Sequence, residues 1–177
     1  MARKNAAHDM VMESLTGALL QLMKHKPLSD INILELCERA GVSRVSFYRN
    51  FDSIQDILVK YLSKCTDDWW REFSTKTESD FYRFFWVELL GQYKKNGELI
   101  TLLYESGASN ILKEHIFSCC DLHPERNDMD AYSRAVLAGA IYGLVDEWIR
   151  RGMKEFPRDF SIHNIALTIP ITKETSL

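Results

Sequence analysis

Apolar residues recur at spacings of three and four along most of the chain, which is the pattern of amphipathic α-helices. Glycine and proline are scarce, with eight and four copies, and they fall between the periodic stretches. No stretch of alternating apolar and polar residues indicates a β-hairpin. The sequence therefore predicts an all-α fold. We expect helices at residues 7–25, 33–40, 44–50, 54–73, 80–96, 98–105, 108–120, 128–151 and 159–169.

Two short helices near the N-terminus have readable ends. Asn32 precedes the second helix of the chain, and Glu35 follows three residues later, which resembles a capping box. Gly41 is suited to the left-handed backbone that ends a helix, and Ser43 is suited to cap the next one. Two short helices joined by a glycine-containing turn are typical of a DNA-binding helix-turn-helix.

The third helix of the chain has two chemically different faces. Phe47 and Phe51 lie four residues apart and should share its inner face. Its outer face can read DNA, because arginine pairs with guanine, asparagine pairs with adenine, and Val45 can touch a thymine methyl. Tyr48 and Ser46 offer hydroxyl groups to phosphates. The outer face comprises Arg44, Val45, Ser46, Tyr48, Arg49 and Asn50. The alternative is a plain helical corner with a polar surface.

Composition and charge change this picture little. The 177 residues suffice for one domain or a small module fused to a modest one, and 46% are hydrophobic. The net charge is −3, but residues 1–55 carry +1 and the remainder −4, which suits a protein that presents its N-terminal end to phosphate. No apolar run approaches the length of a membrane span, and no signal-peptide core follows the basic N-terminus. We expect a cytoplasmic protein without a membrane partner.

The segment AGVSRVSFYRNFDSIQDIL closely resembles the recognition segment of the TetR/AcrR family of bacterial transcription regulators. The close match covers about residues 31–58. The resemblance implies a three-helix DNA-binding head at 1–53 and a ligand-binding and dimerisation domain at 54–177. It also implies a homodimeric regulator, a repressor as in most of the family, that binds a palindromic operator and responds to an unknown small-molecule effector.

Single residues can be carried over from the family pattern. Tyr48 falls on the family's phosphate-contacting tyrosine, and Ser46 falls where a small hydroxyl residue often contacts DNA. Asn32 replaces a threonine that commonly caps the second helix. The predicted contacts to double-stranded DNA are Asn32, Ser43, Arg44, Val45, Ser46, Tyr48, Arg49 and Asn50.

One position departs from the family pattern. The family usually has a phosphate-gripping lysine at the start of the fourth helix, where this chain has Ile54. The loss of one phosphate contact should lower DNA affinity and flatten its salt dependence. The departure leaves open an alternative function, a coactivator or adaptor of the same fold that binds another protein and not DNA.

The C-terminal part offers two further candidate sites. Aromatic residues in and around 80–96 could line an apolar effector pocket, although plain core packing is an equal alternative. This predicted pocket comprises Trp69, Phe81, Phe85, Trp86, Leu89, Tyr93 and Tyr104. The stretch 128–151 is apolar on more than one face, and family members pair their last two helices with those of a second subunit. The predicted dimer interface comprises Leu137, Ile141, Leu144, Val145, Trp148, Ile165 and Ile169, with an internal core as the alternative.

His115, Cys119 and His123 lie four residues apart, with Cys120 adjacent, which is a spacing that could serve zinc or copper. Pro124 interrupts any helix near His123, so we favour two buried cysteines and two surface histidines over a metal site or a vicinal-thiol sensor. We expect no metal and no cofactor. No catalytic motif is evident, so we do not expect an enzyme.

Overall fold

The computed structural model describes residues 2–120 and 128–154, and this part of the chain is helical without strands. The all-α prediction is confirmed. The predicted helix 159–169, with Ile165 and Ile169, lies outside the described residues. The helices are α1 (Ala2–Met23), α2 (Ile33–Ala40), α3 (Arg44–Asn50), α4 (Ile54–Phe73), α5 (Glu78–Lys95), α6 (Gly97–Glu105), α7 (Ser109–Cys119) and α8 (Asp128–Arg150).

The short helices α2 and α3 begin and end where their capping residues predict. Asn32 Oδ1 accepts a hydrogen bond from the backbone N–H of Glu35 at 3.0 Å. Gly41 takes the left-handed conformation, with φ at 64°, and ends α2. Ser43 Oγ accepts from the N–H of Ser46 at 3.1 Å and begins α3. These bonds are local in sequence, so the turn between the two helices is set by the residues within it.

A continuous apolar core joins the N-terminal head (α1–α3) to the rest of the chain. Leu15, Leu19 and Leu36 are fully buried in it, and α1 contacts α2, α3 and α4. The 20-residue helix α4 packs on α1 at one side and on α7 at the other. We call α5–α8 the body. Helix α3 is therefore held on the same core that reaches into the body.

Helix α8 buries one face in the chain's own core. Ile141, Val145 and Trp148 are 8%, 0% and 4% exposed, and α8 packs against α7. These three side chains are not available to a partner, which corrects their predicted place at a dimer interface. Leu144 is half-buried, while Leu137 is exposed. None of the described helices combines the length and apolar character that a membrane span requires.

Candidate nucleic-acid interface

The inner face of α3 is closed by two phenylalanines. Phe47 is fully buried and Phe51 is 2% exposed, with their ring centroids 5.9 Å apart. Residues four apart on a helix lie one above the other, so both rings point to the head core and fix which side of α3 faces outward.

The outer face of α3 carries side chains that are free to meet another molecule. Val45 and Tyr48 are 69% and 62% exposed, and Arg44 and Arg49 are also exposed. Neither arginine forms an ion pair with another residue in the described ranges. Two unpaired guanidinium groups beside an apolar side chain can contact phosphates and the edges of bases.

The Asn50 side chain is already engaged within the head. Its Nδ2 donates to the backbone carbonyl of Ser46 at 2.6 Å, and its Oδ1 lies 2.8 Å from Nδ1 of His8. An asparagine that reads adenine uses both ends of its amide. The Asn50 amide is therefore not free for the predicted base contact in this conformation. Ser46, whose carbonyl accepts from this amide, is half-buried.

Ile54, which stands at the family's lysine position, is an apolar core residue at the first turn of α4 and is 8% exposed.

A cation that the sequence analysis did not identify, Lys60, lies further along α4. Lys60 Nζ donates to the backbone carbonyl of Asn50 at 2.8 Å and pairs with Asp56 at 2.8 Å. The spacing of four residues between Asp56 and Lys60 could have predicted their ion pair from the sequence. Lys60 stabilises the C-terminal end of α3, where a positive charge complements the helix dipole.

Two other cations of the head form ion pairs within the chain. Lys24 pairs with Glu98 of α6, and Lys26 pairs with Glu35 of α2. These lysines are neutralised by carboxylates, whereas Arg44 and Arg49 have no ion-pair partner among the described residues.

An aromatic cluster lies between α4 and α5. The Trp69 ring stacks on Phe73 at 5.2 Å between centroids and lies 6.0 Å from Phe85, which in turn contacts Trp86 at 5.2 Å. Phe73 was absent from the predicted pocket, although its position four residues after Trp69 places it on the same face. The Trp69 Nε1 atom is buried without a hydrogen-bond partner in the described part of the chain. The Phe81 side chain is not among those that the structure describes. Leu89 is buried, as is Trp86 three residues earlier.

Tyr104 departs from the predicted pocket. Its hydroxyl donates to Asp146 of α8 at 2.6 Å, and the Arg150 guanidinium lies 5.7 Å from its ring centroid. This network ties α6 to α8 and occupies the Tyr104 hydroxyl. A separate groove of about 500 Å³ contains none of the seven predicted pocket residues. It is lined by Lys24, Lys94, Gly97, Glu98, Thr101, Leu102, Glu105, Gly152 and Met153.

The His115 region reverses the expected burial. His115 is 3% exposed and its Nε2 lies 2.9 Å from Thr66 Oγ1, whereas Cys119 is exposed. Although the residue is exposed, desolvation of its sulfur atom, followed by the neighbouring Cys120, raises the pKa of the Cys119 thiol to about 11, so the free thiol is protonated at neutral pH. No group of three metal-ligating side chains occurs within residues 2–120 and 128–154, and His123 lies outside these ranges. The contacts fit a packing role for His115.

The burial of His115 predicts a pH dependence of stability. Burial lowers its pKa, against the smaller opposing effect of Asp67. Near pH 6.5 and below, His115 is therefore protonated more readily in the unfolded chain than in the folded chain, and this difference favours unfolding. Stability from this residue is complete above pH 6.5 and falls as the pH decreases through that value. We expect His115→Gln to lose this part of the pH dependence, measured by urea unfolding at pH 7.5 and 5.5. An unchanged pH dependence in the variant would contradict the assignment.

The comparison with known families agrees with the geometry of the head. Residues 15–61 match the family described as bacterial regulatory proteins, tetR family, a range that contains α2, α3, the turn between them and the start of α4. No curated protein sequence matches the chain. The matched range ends within α4, so the family likeness covers the helix-turn-helix and the helices that hold it. Residues 15–61 therefore carry the DNA-binding domain of the tetR family of bacterial regulatory proteins.

Proposed function

We propose that the protein is a ligand-responsive repressor that binds a palindromic operator as a homodimer. The observation that best supports DNA binding is that α3 has one buried and one exposed face. Phe47 and Phe51 are buried, while Arg44 and Arg49 are exposed. In a helix-turn-helix dimer, two such helices enter successive major grooves at half-sites about 34–36 Å apart. Asn50 supports its neighbours instead of reading a base. The proposed contacts are Asn32, Ser43, Arg44, Val45, Ser46, Tyr48 and Arg49.

We divide the chain functionally after Ser53, with DNA binding at 1–53 and effector binding and dimerisation at 54–177. The contacts of α4 with both α1 and α7 support a route by which the two parts influence each other. The aromatic cluster around Trp69 is the proposed effector site, because its unpaired indole N–H can donate to a ligand acceptor among apolar rings. An effector that binds one arrangement of the dimer more tightly shifts the population and releases DNA.

The exposed face of α8 is the proposed dimer surface. Met129, Tyr132 and Val136 are 74%, 67% and 72% exposed and follow one another at helical spacing. A Cβ atom at Gly139 or Gly143 would meet nothing within 4 Å, so a partner helix can approach there closely. A continuous exposed apolar patch is typical of an interaction surface, and a two-fold axis pairs the patch with itself.

The variant Val136→Asp tests this surface. A charge in the centre of an apolar interface is left without a partner, so we expect the dimer to dissociate at micromolar concentration while the monomer stays folded. Sedimentation equilibrium measures the mass. The control Asn110→Asp introduces the same charge at an exposed position of α7 and should leave the dimer intact. A dimer that persists in Val136→Asp, or a wild type that is monomeric, contradicts the proposal.

Selection of genomic fragments by the purified 177-residue chain tests the function as a whole. We expect enrichment of a palindromic site, with specific binding roughly 10³-fold or more tighter than binding to random duplex. The adaptor alternative, which the buried Ile54 motivates, predicts no salt-dependent duplex binding and no enriched sequence. The selection therefore separates the two functions in one experiment.

A further inference from the structure

The last turn of α3 is held by side chains from two other helices. His8 of α1 bonds to the Asn50 amide, and Lys60 of α4 bonds to the Asn50 backbone carbonyl. His8 and Asn50 are 42 positions apart in sequence, so their contact joins the first helix to the end of the recognition helix. We call His8, Asn50 and Lys60 the α3 clamp.

The direction of each hydrogen bond in the clamp follows from the chemistry of the partners. A backbone carbonyl only accepts, so the nitrogen of the Asn50 amide faces Ser46 O at 2.6 Å. The amide oxygen is therefore the atom that faces His8, and His8 Nδ1 must carry a proton to bond with it. An asparagine at position 8 would place an N–H donor at the same number of bonds from Cα.

We propose that His8 is a positioning residue for DNA recognition, which acts by holding Asn50 against the last turn of α3 and so fixes the orientation of Arg49. This inference rests on the proposed operator binding. Arg49 lies next to Asn50 on this turn and is exposed. A base-reading guanidinium must arrive in a fixed geometry, because bidentate pairing with guanine tolerates little displacement. His8 restricts the turn from the side of α1, while Lys60 restricts it from the side of α4.

A double-mutant cycle on the selected operator tests the clamp. We expect His8→Ala and Asn50→Ala each to weaken specific binding about three- to tenfold at each half-site, the scale of one hydrogen bond, and therefore about ten- to hundredfold for a dimer. In the Asn50→Ala background, His8→Ala should have no further effect. His8→Asn should restore binding to within about twofold of the wild type. Met10→Ala, an exposed neighbour on α1, serves as the control, and thermal unfolding monitors folding of every variant.

Three results would overturn the inference while the wild type binds its operator. The first is that His8→Ala leaves the operator affinity unchanged. The second is that His8→Ala weakens binding equally in the wild type and in the Asn50→Ala background. The third is that His8→Asn fails to restore binding. The second result would mean that His8 acts independently of Asn50, for example by touching DNA itself. A wild type that binds no DNA specifically would overturn the proposed function itself, and the role of His8 with it.

Discussion

Phe47→Ala is expected to lower the free energy of unfolding by about 3–5 kcal/mol, the largest stability effect of any single change considered for the head. Phe47 is fully buried, packs against Phe51 and belongs to the core that α1, α2 and α4 share. Truncation removes apolar contacts and leaves a cavity that three surrounding helices can only partly close. For a chain of this length, the loss corresponds to roughly 6–20 °C in Tm.

The matched control for this variant is Val45→Ala, two residues earlier on the same helix. Val45 is 69% exposed, so its truncation should change stability by no more than about 0.5 kcal/mol. Urea unfolding followed by circular dichroism measures both variants. Equal effects at the two positions would mean that α3 does not present the faces described above.

Arg49→Ala is expected to weaken operator binding by about 1–3 kcal/mol at each half-site, and therefore by about 2–6 kcal/mol for a dimer. The exposed guanidinium has no ion-pair partner within the described residues, so it is available for guanine or phosphate. A base contact and a phosphate contact differ in their signature. Loss of a base contact relaxes specificity at one position, whereas loss of a phosphate contact weakens all sequences alike and lowers the salt slope by about one.

Lys95→Ala removes one positive charge from an exposed position at the end of α5 and is the control for Arg49→Ala. Fluorescence anisotropy with labelled duplex, repeated at several salt concentrations, measures the affinities. If both variants bind the operator equally well, Arg49 contributes only to the net charge, and the recognition role assigned to it is wrong.

Local features of the fold could be predicted from the sequence, because their causes lie within a few residues. The caps Asn32 and Ser43 and the turn residue Gly41 define α2 and α3, and the spacing of Phe47 and Phe51 defines the buried face. These signals depend only on backbone hydrogen bonding and helical periodicity. They gave the fold class and the family resemblance together.

Features that depend on distant partners could not be predicted in the same way. Helix α8 is apolar on several faces, so which face is buried depends on the packing of α7, and Val145 proved to be core while Val136 is exposed. From the sequence alone, the Asn50 amide is predicted to contact adenine. Its contact with His8 appears only in the folded chain, because the two residues are 42 positions apart. The burial of His115 likewise depends on α4, through Thr66.

Methylation interference at guanine N7 tests the central claim most directly, because this atom faces the major groove, which α3 is proposed to enter. For the wild type, we predict that methylated guanines in both half-sites of the selected operator block binding. Arg49→Ala should become insensitive at one symmetric pair of guanines and stay sensitive elsewhere. A wild type that tolerates methylation at every guanine of its operator would contradict the account. An interference pattern that stays the same when Arg44 and Arg49 are both replaced by alanine would contradict it as well.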